Sequence, residues 1–131
     1  MSFSKDKEIN AKKKILVVDD EITILKLLEF ILKDEYDLII KSNGFDALSW
    51  LDNGNIPDLI ISDLEMPYFD GADFVKLVKI SGYYRDIPII VLSGSDTLEK
   101  INTAIPYNIN GLVSKPFNPT ILKERIKKLL N

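Results

Sequence analysis

Residues 59–67 read Leu59-Ile60-Ile61-Ser62-Asp63-Leu64-Glu65-Met66-Pro67. An apolar run stops on a carboxylate, a proline follows four residues later, and Asp70-Gly71 comes after it. Short continuous runs of this kind suit strands buried on both faces of a parallel sheet. The run predicts a buried strand with Asp63 at its carboxyl end and a loop beyond. Asp63 is the candidate reactive residue.

Working outward, four more apolar runs repeat the pattern. Ile15-Leu16-Val17-Val18 ends on Asp19-Asp20-Glu21, and Tyr36-Asp37-Leu38-Ile39-Ile40 leads to Asn43-Gly44. Residues 87–92 end on Ser93-Gly94-Ser95-Asp96, and Gly111-Leu112-Val113-Ser114 ends on Lys115-Pro116-Phe117. Helical periodicity follows each strand: Ile24, Leu27, Leu28, Ile31 and Leu32; Phe45, Ala47, Leu48 and Leu51; Phe74, Val75, Leu77 and Val78; Leu98, Ile101 and Ile105; and Ile121, Leu122, Ile126, Leu129 and Leu130. Pro106 stops the fourth helix, and Asn118-Pro119 caps and opens the fifth. Five strand–helix repeats imply right-handed crossovers and an α/β fold. The expected architecture is a doubly wound, five-stranded parallel sheet with helices on both faces.

The 131 residues allow one domain. Residues 1–13 are polar and charged and read as a flexible leader, which leaves 14–131 for the folded domain. The formal charge of −3 argues against a nucleic-acid surface, and Lys12-Lys13-Lys14 reads as a solvated strand entrance. No stretch approaches the roughly 20 apolar residues of a membrane helix, and the first residues lack a signal core. A cytoplasmic protein is the expectation. The absence of cysteine removes disulfides and thiolate chemistry, and the absence of histidine removes Ser-His triads and imidazole-held metals. Any phosphoryl chemistry must then use carboxylates, hydroxyls and lysine.

Ligands in open parallel sheets bind beyond the carboxyl ends of the strands. Asp19, Asp20, Asp63, Ser93 and Lys115 all belong to that edge. Taken singly, each has a structural explanation: an acid can cap the next helix, a serine can stabilise a turn, a lysine can be solvated. Together they describe a site. Three converging carboxylates call for a hard divalent cation such as Mg²⁺. A hydroxyl and an ammonium add what a transferring phosphoryl group needs, and one aspartate can serve as nucleophile.

These residues resemble the receiver domain of two-component response regulators. The resemblance rests on residues 15–21, on Asp63-Leu64-Glu65-Met66-Pro67 with Asp70-Gly71, on Ser93, and on Lys115-Pro116-Phe117. Asp63 stands 43 residues after Asp20, Ser93 follows 30 later and Lys115 another 22 later, which is similar to the family's spacing. The resemblance implies the flavodoxin-like (βα)5 fold with strand order 2-1-3-4-5. It implies that Asp63 accepts a phosphoryl group from a phosphohistidine on a sensor histidine kinase or histidine phosphotransfer protein. Asp19 and Asp20 would hold Mg²⁺, one directly and one through water, with Asp63 and the backbone carbonyl of Glu65. Lys115 would pair with the phosphoryl oxygens, Ser93 would move to bond them, and Lys115-Pro116 would be cis.

The output surface implied by the family is the fourth helix, fifth strand and fifth helix, about residues 96–130. It would serve a downstream effector, a fused output domain or a phosphorylation-linked homodimer, with no direct nucleic-acid contact and no membrane. The domain would catalyse only its own phosphorylation and dephosphorylation.

Three departures stand out. Leu112 occupies a position that is often aromatic, so signal transmission must rely on Ser93, backbone shifts or another route. Asn108-Ile109 replaces a small pair, with Pro106 and Tyr107 before it. Glu65 and Ser95 flank the site and are expected to set the phosphoryl lifetime. Competing readings are a receiver-like protein-interaction module without phosphotransfer, and a phosphatase of the haloacid-dehalogenase type. The phosphatase would need an Asp-x-Asp pair where Asp19 and Asp20 are adjacent. A flavodoxin-like nucleotide binder would need a Ser/Thr/Gly loop where three acids stand.

Overall fold

A computed structural model describes residues 11–64, 71–94 and 109–130. The elements are β1 (Lys13–Val18), α1 (Ile22–Leu32), β2 (Tyr36–Lys41), α2 (Gly44–Asp52), β3 (Leu59–Asp63), α3 (Gly71–Ile80), β4 (Ile89–Gly94), β5 (Gly111–Lys115) and α4 (Pro119–Leu130). All four strand pairings are parallel, in the order β2-β1-β3-β4-β5. This is the expected sheet. The expected helix over 98–105 lies outside the described residues, so α4 is the C-terminal helix. Residues 1–10 of the expected leader, Glu65, the loop to Asp70, Ser95 and Tyr107 also lie outside them.

Alternation along the strands builds two cores. Leu16, Val18, Ile60, Ile89 and Val91 face α2 and α3 and pack with Ala47, Leu51, Phe74, Val75 and Val78. Ile15, Val17, Leu59, Ile61, Ile90 and Leu92 face the other way and pack with Leu28 and Leu32 of α1 and Leu122 and Ile126 of α4. Successive strand residues point to opposite faces, so a run apolar at every position must be covered twice.

Two boundaries differ from the sequence reading. β4 begins at Ile89, not Ile87, because the Ile87 N–H is taken by the carbonyl of Tyr84 in the preceding turn and Pro88 has no N–H to give. β4 also runs on to Gly94, paired with Lys115, so Ser93 lies inside the strand rather than after it. At the start of the chain β1 includes Lys13, paired with Tyr36, one residue earlier than the expected domain start.

Caps fix the helix ends. Asn43 accepts the Asp46 N–H at 2.8 Å, and its own side-chain amide donates back to the Asp46 carboxylate at 3.0 Å. Asn118 accepts the N–H of Thr120 at 2.9 Å, with Pro119 at the first helical position. Asn43→Ala removes both reciprocal bonds of α2 and is expected to cost about 1 kcal/mol. The single tryptophan, Trp50, sits on α2 and packs against the core, so its fluorescence in a urea titration reports the lowered midpoint.

Candidate functional site

β1, β3, β4 and β5 end on the same edge of the sheet and bring their terminal residues together. One carboxylate oxygen each from Asp19, Asp20 and Asp63 lies within 4.8 Å of the others. Asp19 is fully buried, Asp63 is buried and Asp20 is exposed, so the cluster runs from the protein interior to its surface. Asp19 is held on several sides. Its N–H donates to the Lys41 carbonyl at 3.2 Å, and its Oδ1 accepts the Glu21 N–H at 2.9 Å. Asp63 is fixed from behind: the Ser62 hydroxyl donates to its carbonyl at 3.0 Å, and the next N–H, of Leu64, bonds Leu92 at 3.1 Å.

Lys115 arrives from β5, with a cis bond to Pro116. Its ammonium lies 3.0 Å from Asp19, 3.2 Å from Glu21 and 3.3 Å from Asp63. A cavity of ≈ 480 Å³ is lined by Asp20, Glu21, Asp63, Ser93 and Lys115, among others. Ser93 is 1% exposed, and its hydroxyl has no hydrogen-bond partner among the described residues. The five sequence-predicted side chains thus share one site. The Glu65 carbonyl lies outside the described residues.

Glu21 was legible only as one of three acids closing β1. Its contact with Lys115 joins residues 94 positions apart, and no local pattern signals it. Its side chain makes no capping bond to α1, although Glu21 occupies the N-cap position. Asp19 instead accepts the backbone N–H of Glu21.

Four carboxylates against one ammonium leave the group formally at −3. Burial raises the pKa of Asp19, and its bonds from the Glu21 N–H and Lys115 only partly offset that rise. Burial by itself would lower the pKa of Lys115; the hydrogen bond and charge of Asp19, the charge of Asp63 and the Glu21 bond together raise it instead. The donors are all carboxylate oxygens, graded in exposure, so they fit a hard divalent cation. Such an ion would be held by Asp19, Asp20 and Asp63.

The shift of Asp19 sets a pH dependence. A raised folded-state pKa means that Asp19 takes up a proton before an ordinary aspartate does as pH falls. Cation binding needs the ionised form, so Mg²⁺ affinity is expected to decline from above the usual aspartate range of about 4. Calorimetric titration at successively lower pH checks this, and an affinity that begins to fall only at or below the ordinary aspartate value of about 4 would contradict it.

Leu112, where an aromatic was missed, is half-buried and packs on the α2–α3 side of the sheet. Its carbonyl accepts a 2.8 Å bond from Arg125 of α4, which ties β5 to the C-terminal helix. Among the described residues, no helix is long and apolar enough to cross a membrane.

Comparison with known proteins places these features. Residues 15–127 match the family described as response regulator receiver domain. The chain is 31% identical to the chemotaxis protein CheY1 of Helicobacter pylori over 119 residues, covering 89% of this chain and 96% of CheY1. It is 38% identical over 122 residues to the transcriptional regulatory protein FlgR of Helicobacter pylori, covering 89% of this chain but only 30% of FlgR. Among solved structures it resembles the chemotaxis response regulator CheY4 of Vibrio cholerae, at 30% identity and a TM-score of 0.78. That match covers 92% of this chain and all of CheY4.

Proposed function

This chain belongs to the response regulator receiver domain family, and from that premise we propose that it is a phosphorylation-controlled switch in a two-component phosphorelay. Asp63 is the acceptor. Its carboxylate oxygen attacks the phosphorus of a phosphohistidine on a sensor histidine kinase or histidine phosphotransfer protein. The phosphorus–nitrogen bond breaks, and its electron pair stays on the imidazole, which takes up a proton. Lys115 neutralises the phosphoryl oxygens, and Ser93 donates a hydrogen bond to one of them. Mg²⁺ held by Asp19, Asp20 and Asp63 would supply further neutralisation of the transferring charge. Attack of water on the phosphorus later restores the Asp63 carboxylate and releases phosphate. The chain thereby acts only on its own acceptor and is not a turnover enzyme.

The observation that carries this reading is Ser93. An acid cluster alone asks only for a cation. A buried hydroxyl without an acceptor among the described residues, on one cavity wall with Asp63 and Lys115, asks for an anion as well. Leaving such a group unsatisfied costs about 1–3 kcal/mol, which an incoming phosphoryl oxygen would return. These 131 residues hold no histidine, so the phosphohistidine donor is not one of them.

The wider assignment follows. On this reading the receiver begins with β1 at Lys13, the residues before it are a polar leader, and the location is cytoplasmic. The surface read by a downstream effector, a fused output domain or a second copy includes β5 and α4. FlgR, of which this chain matches 30%, is a transcriptional regulatory protein, and CheY1, matched at 96% of its length, acts in chemotaxis. Both kinds of output remain compatible with one receiver.

The experiment is phosphoryl uptake from acetyl phosphate with Mg²⁺, read by intact mass. The wild type is expected to gain one phosphoryl group, and Asp63→Asn to gain none while keeping its circular dichroism. A folded wild type that gains none would overturn the reading in favour of a protein-interaction module. Release of phosphate from many small phosphomonoesters would point to a phosphatase.

A further inference from the structure

We propose that Glu21 is a positioning residue that holds Lys115 between phosphoryl transfers and is displaced when the phosphoryl group arrives; this rests on the switch reading above. A lysine ammonium has three N–H donors. Lys115 already faces three carboxylates, at 3.0 Å from Asp19, 3.2 Å from Glu21 and 3.3 Å from Asp63. A phosphoryl oxygen can enter only if one of them gives way. Asp19 is fully buried, so its release would strand a charge away from water. Asp63 carries the incoming group. The Glu21 side chain is 53% exposed and lines the cavity, so water can take over its charge at little cost. Glu21 therefore competes with the phosphoryl group for the ammonium and slows its capture.

The side chain can be changed without disturbing the fold. It makes no capping bond to α1, and the 2.9 Å bond to Asp19 is donated by the Glu21 backbone N–H, which Gln and Asp retain. Glu21→Gln removes the charge, and Glu21→Asp keeps the charge but shortens the reach. Both are expected to raise the rate of phosphoryl uptake from acetyl phosphate by about two- to fivefold, the range of an exposed ion pair. Both should also bind beryllofluoride with Mg²⁺ more tightly by a similar factor, a readout that needs no turnover.

If only Glu21→Gln gains, the residue merely repels anionic donors, and the competition is overturned. If either variant matches or falls below the wild type, Glu21 is idle or aids capture, and the proposal is overturned while the switch reading stands. If the wild type takes up neither group, both fall together.

Discussion

Lys115→Met is expected to destabilise the metal-free protein by about 2–3 kcal/mol and, at the same time, to tighten Mg²⁺ binding about tenfold. The two effects have one cause. Lys115 is 14% exposed and touches the fully buried Asp19 as well as Asp63 and Glu21. Methionine preserves most of the stem but removes the charge. The carboxylates then confront each other with less compensation, and a buried charge that loses its partner is costly. A divalent cation becomes the main remaining source of neutralisation, so the variant should gain more stability from added Mg²⁺ than the wild type does. Urea denaturation with and without Mg²⁺ measures both. Phosphoryl uptake should nonetheless fall by about 100-fold, because the ammonium is lost from the transferring oxygens and the metal already occupies its own place. Loss of Mg²⁺ binding in a folded variant would show that Lys115 organises the acids rather than neutralising them.

The same substitution has a defined pH signature. The folded-state pKa of Lys115 is raised, with its carboxylate partners outweighing the opposing effect of burial. Its contribution is therefore fully present below the ordinary lysine value of 10.5 and is lost as pH rises through the raised one. The stability gap between wild type and variant should stay constant through neutrality and close only in strong alkali. A gap that closed near neutral pH would contradict the ion-pair account.

The part of the site carried by strand ends was readable because strand polarity is readable. Apolar runs that stop on Asp19, Asp63 and Lys115 place those residues on one edge without any knowledge of tertiary contacts. Ser93 was readable for the same reason, although β4 runs one residue past it. What the sequence withheld depends on distance through space. Glu21 and Lys115 meet only because β1 and β5 end at the same height, and their separation along the chain hides the pairing. The covering of the sheet followed from its uninterrupted apolar strands. Which strand residue faces which helix needed the register, with Ile60 toward α3 and Ile61 toward α1 and α4. Gly71 was legible only as loop punctuation before a helix, and its actual role is steric.

Gly71→Ala is expected to lower stability by about 3 kcal/mol, the upper end of ordinary overpacking, even though alanine is intrinsically the better helix former by about 1 kcal/mol. α3 starts against the end of β3. A Cβ on Gly71 would fall on the carbonyl oxygen of Asp63, 2.7 Å from the carbonyl oxygen of Leu64 and 2.8 Å from the carbonyl carbon of Asp63. All three are backbone atoms of the segment that presents the acceptor, so no side chain can swing aside. Relief requires either α3 to back away, loosening Phe74, Val75 and Val78 from the core, or the Asp63 backbone to move. The first route costs stability and the second costs the alignment of the Asp63 carboxylate with Asp19, Asp20 and Lys115. Phosphoryl uptake per folded molecule should therefore fall as well, which simple destabilisation would not produce. Gly82→Ala is the control, since a Cβ there meets nothing within 4 Å and should change stability by less than about 0.5 kcal/mol. Urea titrations of the two variants decide the matter. Equal stabilities would mean that the close approach of α3 to the Asp63 carbonyl does not constrain the fold.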